Sequence, residues 1–240
     1  MTINWTVAVG EETTSAMYEP AASGTDVALF VCAHGAGGNM LDRGMTATAT
    51  ALRENGLGVV RFNFLYKEKK SGRPDPMPRL IATTRAVIAH AVRELAPARL
   101  IIGGRSMGGR AASMLAAEAG ESGVSVGESG GALPAMGLLL LAYPLHPAGQ
   151  PAKLRDAHLA SIRMPVLCFN GTRDALCTRD LMERVLADRA RSGVRPPGQW
   201  NMQWVEGADH MFHVLKSSST TDAAVMAQIG RTAGEWAAKL

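Results

Sequence analysis

Leu100-Ile101-Ile102-Gly103-Gly104-Arg105-Ser106-Met107-Gly108-Gly109-Arg110, with the alanine-rich stretch Ala111 to Ala119 behind it, decides the fold. The apolar run Leu100 to Gly103 reads as a buried strand, and residues 107–119 read as a helix. Between them lies Gly104-x-Ser106-x-Gly108. A serine on so sharp a strand-to-helix turn presents its hydroxyl at the top of a sheet, the arrangement of a nucleophile elbow. The pattern recurs at Gly123-Val124-Ser125-Val126-Gly127 and Gly127-Glu128-Ser129-Gly130-Gly131. Those copies overlap in a Gly/Ser-rich stretch with no strand before them. They read as part of a flexible surface loop, Glu121 to Leu133.

Outward from this turn, short apolar strands alternate with longer helical patterns. Strands are expected at Val27–Ala33, Gly58–Asn63, Met136–Tyr143, Val166–Asn170 and Met202–Val205. Helices are expected at Met40–Asn55 and at 78–95, 178–191 and 220–238. In the helix at 78–95, Leu80, Ile81, Thr84, Val87, Ile88, Ala91 and Leu95 recur with helical spacing. Near-continuous apolar strands separated by helices imply an α/β fold, a mostly parallel sheet of about seven or eight strands with helices on both faces. Trp5 to Val9 adds antiparallel structure at one edge. Lys67 to Pro78, rich in lysine and proline, reads as loop. Only about twenty residues, Tyr143 to Arg163, follow the strand at Met136–Tyr143, too few for a large helical lid.

The chain has 240 residues, 47% hydrophobic and 19% charged, which fits a single domain over residues 1–240. Its net charge of +4 is scattered rather than gathered in a stripe, so nucleic acid is not an expected partner. Cys32, Cys168 and Cys177 make no even disulfide framework and read as small core residues in a reducing, cytoplasmic setting. The start, Met1-Thr2-Ile3-Asn4-Trp5, lacks the basic-then-apolar signature of a secretory signal. The longest apolar run, Gly137 to Ala142, is far short of the roughly 20 residues of a membrane span, so no membrane role is expected. No His/Cys/Asp/Glu group has metal-ligand spacing, and His34–Gly38 lacks the Lys-Ser/Thr of a P-loop. No metal or other cofactor is therefore expected.

A serine hydroxyl needs a base to take its proton, and the base needs a carboxylate to fix its tautomer. In an open α/β sheet such groups belong at the carboxyl ends of strands. The strand Val166–Asn170 runs into Gly171-Thr172-Arg173-Asp174, and Met202–Val205 runs into Glu206-Gly207-Ala208-Asp209-His210. Asp174 and His210 are thus the candidate acid and base, in the chain order Ser, Asp, His. An oxyanion requires backbone donors. These are assigned to Met107, after the serine, and to Ala36 in His34-Gly35-Ala36-Gly37-Gly38, with Gly37 next. Asp180 rivals Asp174 as acid. His213 rivals His210 as base but reads as a pocket-wall residue, and His34 reads as loop packing. Gly35, Gly37, Arg105, Tyr66 and His213 are possible substrate contacts. Arg105, Arg110, Lys67, Lys69, Lys70, Arg73 and Arg173 cluster near the same end of the sheet. They form either a cationic rim for an anionic acyl substrate, or arginines paired with acids beside solvated lysines.

These motifs, together with Arg61-Phe62-Asn63-Phe64-x-Tyr66, resemble the α/β-hydrolase superfamily over about residues 25–238. Within it they look most like a small, lidless, dienelactone-hydrolase-like group that includes bacterial predicted hydrolases and a subunit of a eukaryotic histone-acetyltransferase complex. The Arg before the serine and the Gly-Gly-Arg after it are the more specific marks. Dienelactone hydrolases proper use cysteine as nucleophile; Ser106 departs from that, and their substrate is not carried over. The expected activity is hydrolysis of small soluble esters or thioesters through an acyl-enzyme. The alternatives are a cofactor-free perhydrolase on the same triad and a non-catalytic interaction protein. Oligomeric state is not legible.

Overall fold

The computed structural model describes residues 2–122, 135–191 and 199–240. In chain order the elements are β1 (Ile3–Val9), β2 (Glu12–Glu19), β3 (Ala28–Ala33), α1 (Arg43–Arg53), β4 (Leu57–Phe62), α2 (Leu65–Glu68), α3 (Met77–Leu95), β5 (Leu100–Arg105) and α4 (Met107–Ser122). There follow β6 (Gly137–Leu141), a 3₁₀ turn at Ala157–Ser161, β7 (Val166–Gly171), α5 (Arg179–Arg191), β8 (Trp200–Val205) and α6 (Asp222–Ala237). The eight strands form one sheet in the order β1-β2-β4-β3-β5-β6-β7-β8. β1 and β2 join antiparallel, and β4 through β8 run parallel.

Every residue of β3, β4, β5, β6 and β7 is buried. Such strands carry apolar side chains on both faces and must be covered twice. One face packs Val31, Phe62, Ile102 and Leu140 under α3 and α4. The other packs Phe30, Val59, Leu139 and Phe169 under α1 and α6. α1 starts where the Asp42 side chain accepts the Met45 amide at 2.8 Å, and α6 where Thr221 accepts that of Ala224 at 3.2 Å.

From β3 the chain goes outward to β4, then returns past β3 to β5. The strand order reverses between β3 and β5, and their carboxyl ends open a crevice there. The loop beginning at His34 follows β3, and Ser106 follows β5. Sequence and architecture thus converge on the same edge of the sheet.

Two expectations need correction. Lys67 to Pro78 is not all loop: Lys67 and Glu68 complete the short α2, and Pro78 lies in the first turn of α3. Proline is well accommodated there because first-turn amides have no intrahelical acceptor. Glu121 and Ser122 close α4, while the remainder of the expected loop, with both extra Gly-x-Ser-x-Gly matches, lies outside the described residues. Between β6 and β7 stands only the 3₁₀ turn, with no inserted lid domain. Among the described residues, no helix is long and apolar enough to cross a membrane.

Candidate active site

Ser106 occupies the one-residue bend between β5 and α4, with φ of 48°. Its amide donates to Leu141 O at 2.9 Å, and its carbonyl accepts Arg110 N at 3.0 Å. The bend is possible because the flanking glycines sit against β3. A Cβ on Gly108 would lie 2.5 Å from Ala33 O and 2.6 Å from His34 O, and one on Gly104 would overlap the Ala33 backbone. Ser106, Ala142 and Phe212 all combine positive φ with a place in the wall of one cleft. Backbone strain of this kind costs roughly 1–3 kcal/mol per residue and persists only where the surroundings enforce it.

The structure brings the three candidate catalytic side chains together. Ser106 Oγ lies 2.8 Å from His210 Nε2. His210 Nδ1 lies 2.9 and 2.8 Å from Asp174 Oδ1 and Oδ2. Since a carboxylate can only accept, Nδ1 carries the proton and Nε2 is left with a lone pair toward the serine. Asp174 is held in turn by Asn170 Nδ2 at 3.0 Å and by the Leu176 amide at 2.8 Å. Its side chain is fully buried, whereas that of His210 is 20% exposed toward the cleft.

The rivals fall elsewhere. Asp180 lies exposed on α5, 3.9 Å from Arg184. His213 lines the cleft, but its Nδ1 meets Asp222 at 2.6 Å. His34 is buried with both ring nitrogens engaged: Nδ1 donates to Gly35 O at 2.7 Å, and Nε2 accepts the Phe64 amide at 3.1 Å. Burial pushes its pKa down to about 4, so it stays neutral and splices the loop after β3 to the chain after β4.

Ser106 opens into a cleft of about 890 Å³. Gly35, Ala36, Gly37 and Gly38 form one wall, Leu176, Met211 and Phe212 another. From there the cleft extends between α1 and α6, past Gly44, Ala47, Ala51, Ala223, Met226 and Ala227. Met107 is the first residue of α4, so its amide belongs to those without an intrahelical acceptor. Tyr66, expected as a substrate contact, does not line this cleft. It is buried, and its hydroxyl donates to Ala36 O at 2.8 Å, bracing the glycine loop from behind.

Of the two readings of these basic residues, the cationic rim does not assemble from the loop lysines and Arg173. Lys69 pairs with Glu12 at 2.6 Å, Lys67 lies over the Tyr66 ring at 5.1 Å, and Arg173 donates to Gly207 O at 3.1 Å. None of these lines the cleft. Nor do Arg105 and Arg110 pair with acids among the described residues. Arg105 is 5% exposed and enters the cleft wall beside Ser106. Sequence reasoning missed the α1–α6 extension, because its lining comes from two helices almost 180 residues apart. Among the described residues, no three His, Cys, Asp or Glu side chains gather as metal ligands.

A serine on a strand-to-helix bend, a histidine and an acid on later strand ends, and a mostly parallel sheet define an α/β-hydrolase architecture. The chain belongs to the alpha/beta hydrolase domain family, whose model matches residues 26–238. It is similar to a lidless α/β serine hydrolase from Xanthomonas campestris at 19% identity and a TM-score of 0.71, over 98% of this chain and 94% of that one. It is similar to a dienelactone hydrolase from Anabaena variabilis at 17% identity and a TM-score of 0.67, over 98% and 96%. Est1E from Butyrivibrio proteoclasticus is similar at 12% identity and a TM-score of 0.69, over 99% of both chains. At these identities the likeness is one of fold.

Proposed function

We propose that the protein is a serine hydrolase that cleaves small esters or thioesters through Ser106, His210 and Asp174. The observation that carries this reading is the chain of contacts from Ser106 Oγ to His210 Nε2 and from His210 Nδ1 to Asp174, each within 2.9 Å. His210 takes the Ser106 proton as Oγ attacks the carbonyl carbon. The oxyanion forms against the amides of Met107 and Ala36. His210 then returns the proton to the leaving alcohol or thiol. Water, deprotonated by the same nitrogen, releases the acid and restores the serine. Asp174 holds the imidazole tautomer and stabilises the cation that forms twice per turnover.

The absence of a lid between β6 and β7 leaves the serine open to solvent, which suits soluble substrates. A panel of short acyl esters and acyl thioesters, assayed with wild type and Ser106→Ala, tests the proposal. Wild-type turnover should fall by about 10³-fold or more in the variant, since the triad acts as a unit. Equal rates in the two proteins would remove Ser106 from the mechanism. Peroxide-dependent halide oxidation exceeding ester cleavage would move the activity to a perhydrolase. No turnover with any substrate would favour a binding role.

A further inference from the structure

Arg105 is a buried cation with little to pair with. Its side chain leaves β5 on the α1–α6 side, one residue before the candidate nucleophile, and lines the same cleft. Its Cζ lies 5.7 Å from the Phe212 ring centroid, and Nη1 packs against Gly44, where a Cβ would require the guanidinium to shift. Among the described residues a single acceptor meets it, the Met211 carbonyl, 3.3 Å from Nη2. A guanidinium carries five N–H donors, and leaving a charged group unpaired in a buried site is costly.

The two nearest acids do not discharge it. Asp42 spends its oxygens on the amides of Met45 at 2.8 Å and Asn39 at 3.1 Å, as the cap of α1. Asp209 Oδ1 accepts the amides of Met211 at 2.8 Å and His213 at 2.9 Å. Both stabilise the guanidinium at a distance, and neither forms an ion pair with it. Beyond Arg105 the cleft is floored by small apolar residues such as Ala47, Ala51 and Ala227. Arg43 and the acids Asp42, Glu54 and Asp222 also line the cleft. Arg105 is therefore the donor-rich cation next to the reacting serine rather than the cleft's single charge, and the alanines line the space beyond it.

We propose that Arg105 selects the substrate, binding a carboxylate on an acyl group that lies in the α1–α6 cleft. The substrate class is then a hemiester or hemithioester of a short dicarboxylic acid. This rests on the serine-hydrolase reading. The acyl half is the part that stays attached to Ser106 through both chemical steps, so it is the half an adjoining cleft retains. The charge must be close to the scissile carbonyl, because Arg105 and Ser106 are neighbours in the chain. That favours a spacer of two or three methylenes. Arginine suits the task because its planar fork matches a carboxylate with two parallel hydrogen bonds.

The test is binding to full-length Ser106→Ala protein by calorimetry, which needs no turnover. Monomethyl succinate and monomethyl glutarate are compared with methyl succinamate and methyl glutaramate, where a neutral amide replaces the carboxylate. The anions should bind about 10- to 100-fold more tightly, the worth of hydrogen bonds to a charged group. Arg105→Gln in the same background should bring each pair to within about threefold, and Arg105→Lys should keep part of the preference. Equal binding of anion and amide, binding of neither at millimolar concentration, or a preference that survives Arg105→Gln would overturn the proposal. Turnover of the same four esters by wild type reports on the hydrolase reading separately. Cleavage without preference sinks only the role of Arg105. Selective binding with no turnover sinks only the hydrolysis.

Discussion

Acid should loosen the glycine-rich loop through one residue, His34. Its Nδ1–H already donates to Gly35 O, so a second proton must go to Nε2, which accepts the Phe64 amide. Protonation would set two donors face to face in a buried site. The folded protein therefore resists it, with a His34 pKa near 4 against 6.5 for the unfolded chain. Because the folded-state value is the lower one, the unfolded chain takes up the proton first. His34 stabilises fully above pH 6.5, and its contribution is lost as pH falls from 6.5 toward 4. At about 1.36 kcal/mol per pH unit, the loss amounts to about 3 kcal/mol. Urea unfolding of wild type and His34→Gln between pH 7.5 and pH 4 checks this, because the difference cancels the other titrating groups. The advantage of wild type over the variant should shrink by about 3 kcal/mol on acidification. A difference that stays flat with pH would refute the reasoning, and with it the two-sided hydrogen bonding of His34.

Three further perturbations separate parts of the account. Asp174→Asn leaves one oxygen in place of the two that separately accept from Asn170 and Leu176, and puts an amide nitrogen beside His210 Nδ1. The imidazole would hold its proton on the serine side, and steady-state kcat should drop by about 10⁴-fold with little loss of Ser106 placement. Gly108→Ala drives a methyl group to 2.5 Å from Ala33 O, so β3 and the elbow must separate. Chemical denaturation should show a loss of about 1–3 kcal/mol, and esterase assays about a 10²-fold fall from sub-ångström misplacement. Tyr66→Phe removes the donor behind Ala36; thermal unfolding should report a loss of about 1 kcal/mol, with ester turnover falling further than stability alone would require.

Much of this was legible because it is local. The helix expected at 78–95 stands at Met77–Leu95, since its apolar spacing repeats over five turns. Strand ends could be read from where apolar runs stop, and Asp174 and His210 stand at such ends. The elbow was legible from its context, a Gly-x-Ser-x-Gly set between an apolar strand and an alanine-rich helix, and only glycine tolerates the approach of Gly104 and Gly108 to β3. Tyr66 was misread because the direction of an aromatic ring depends on which loop packs over it, here the carbonyl of Ala36. β2 went unread, since its polar Glu12-Thr13-Thr14-Ser15 gives no strong strand pattern and its place comes from pairing with β1 and β4. The isolation of Arg105 was likewise invisible. The sequence offered acids as partners for the arginines without saying which, and the structure shows both Asp42 oxygens and Asp209 Oδ1 taken by backbone amides.

The central claim is that Ser106 is an activated nucleophile. Labelling of the purified protein with a fluorophosphonate probe, with the modified site read by peptide mass spectrometry, tests it most directly. The account predicts a covalent adduct on Ser106 that is lost in His210→Ala. An unlabelled Ser106 in folded wild-type protein, or labelling that persists without His210, would contradict it.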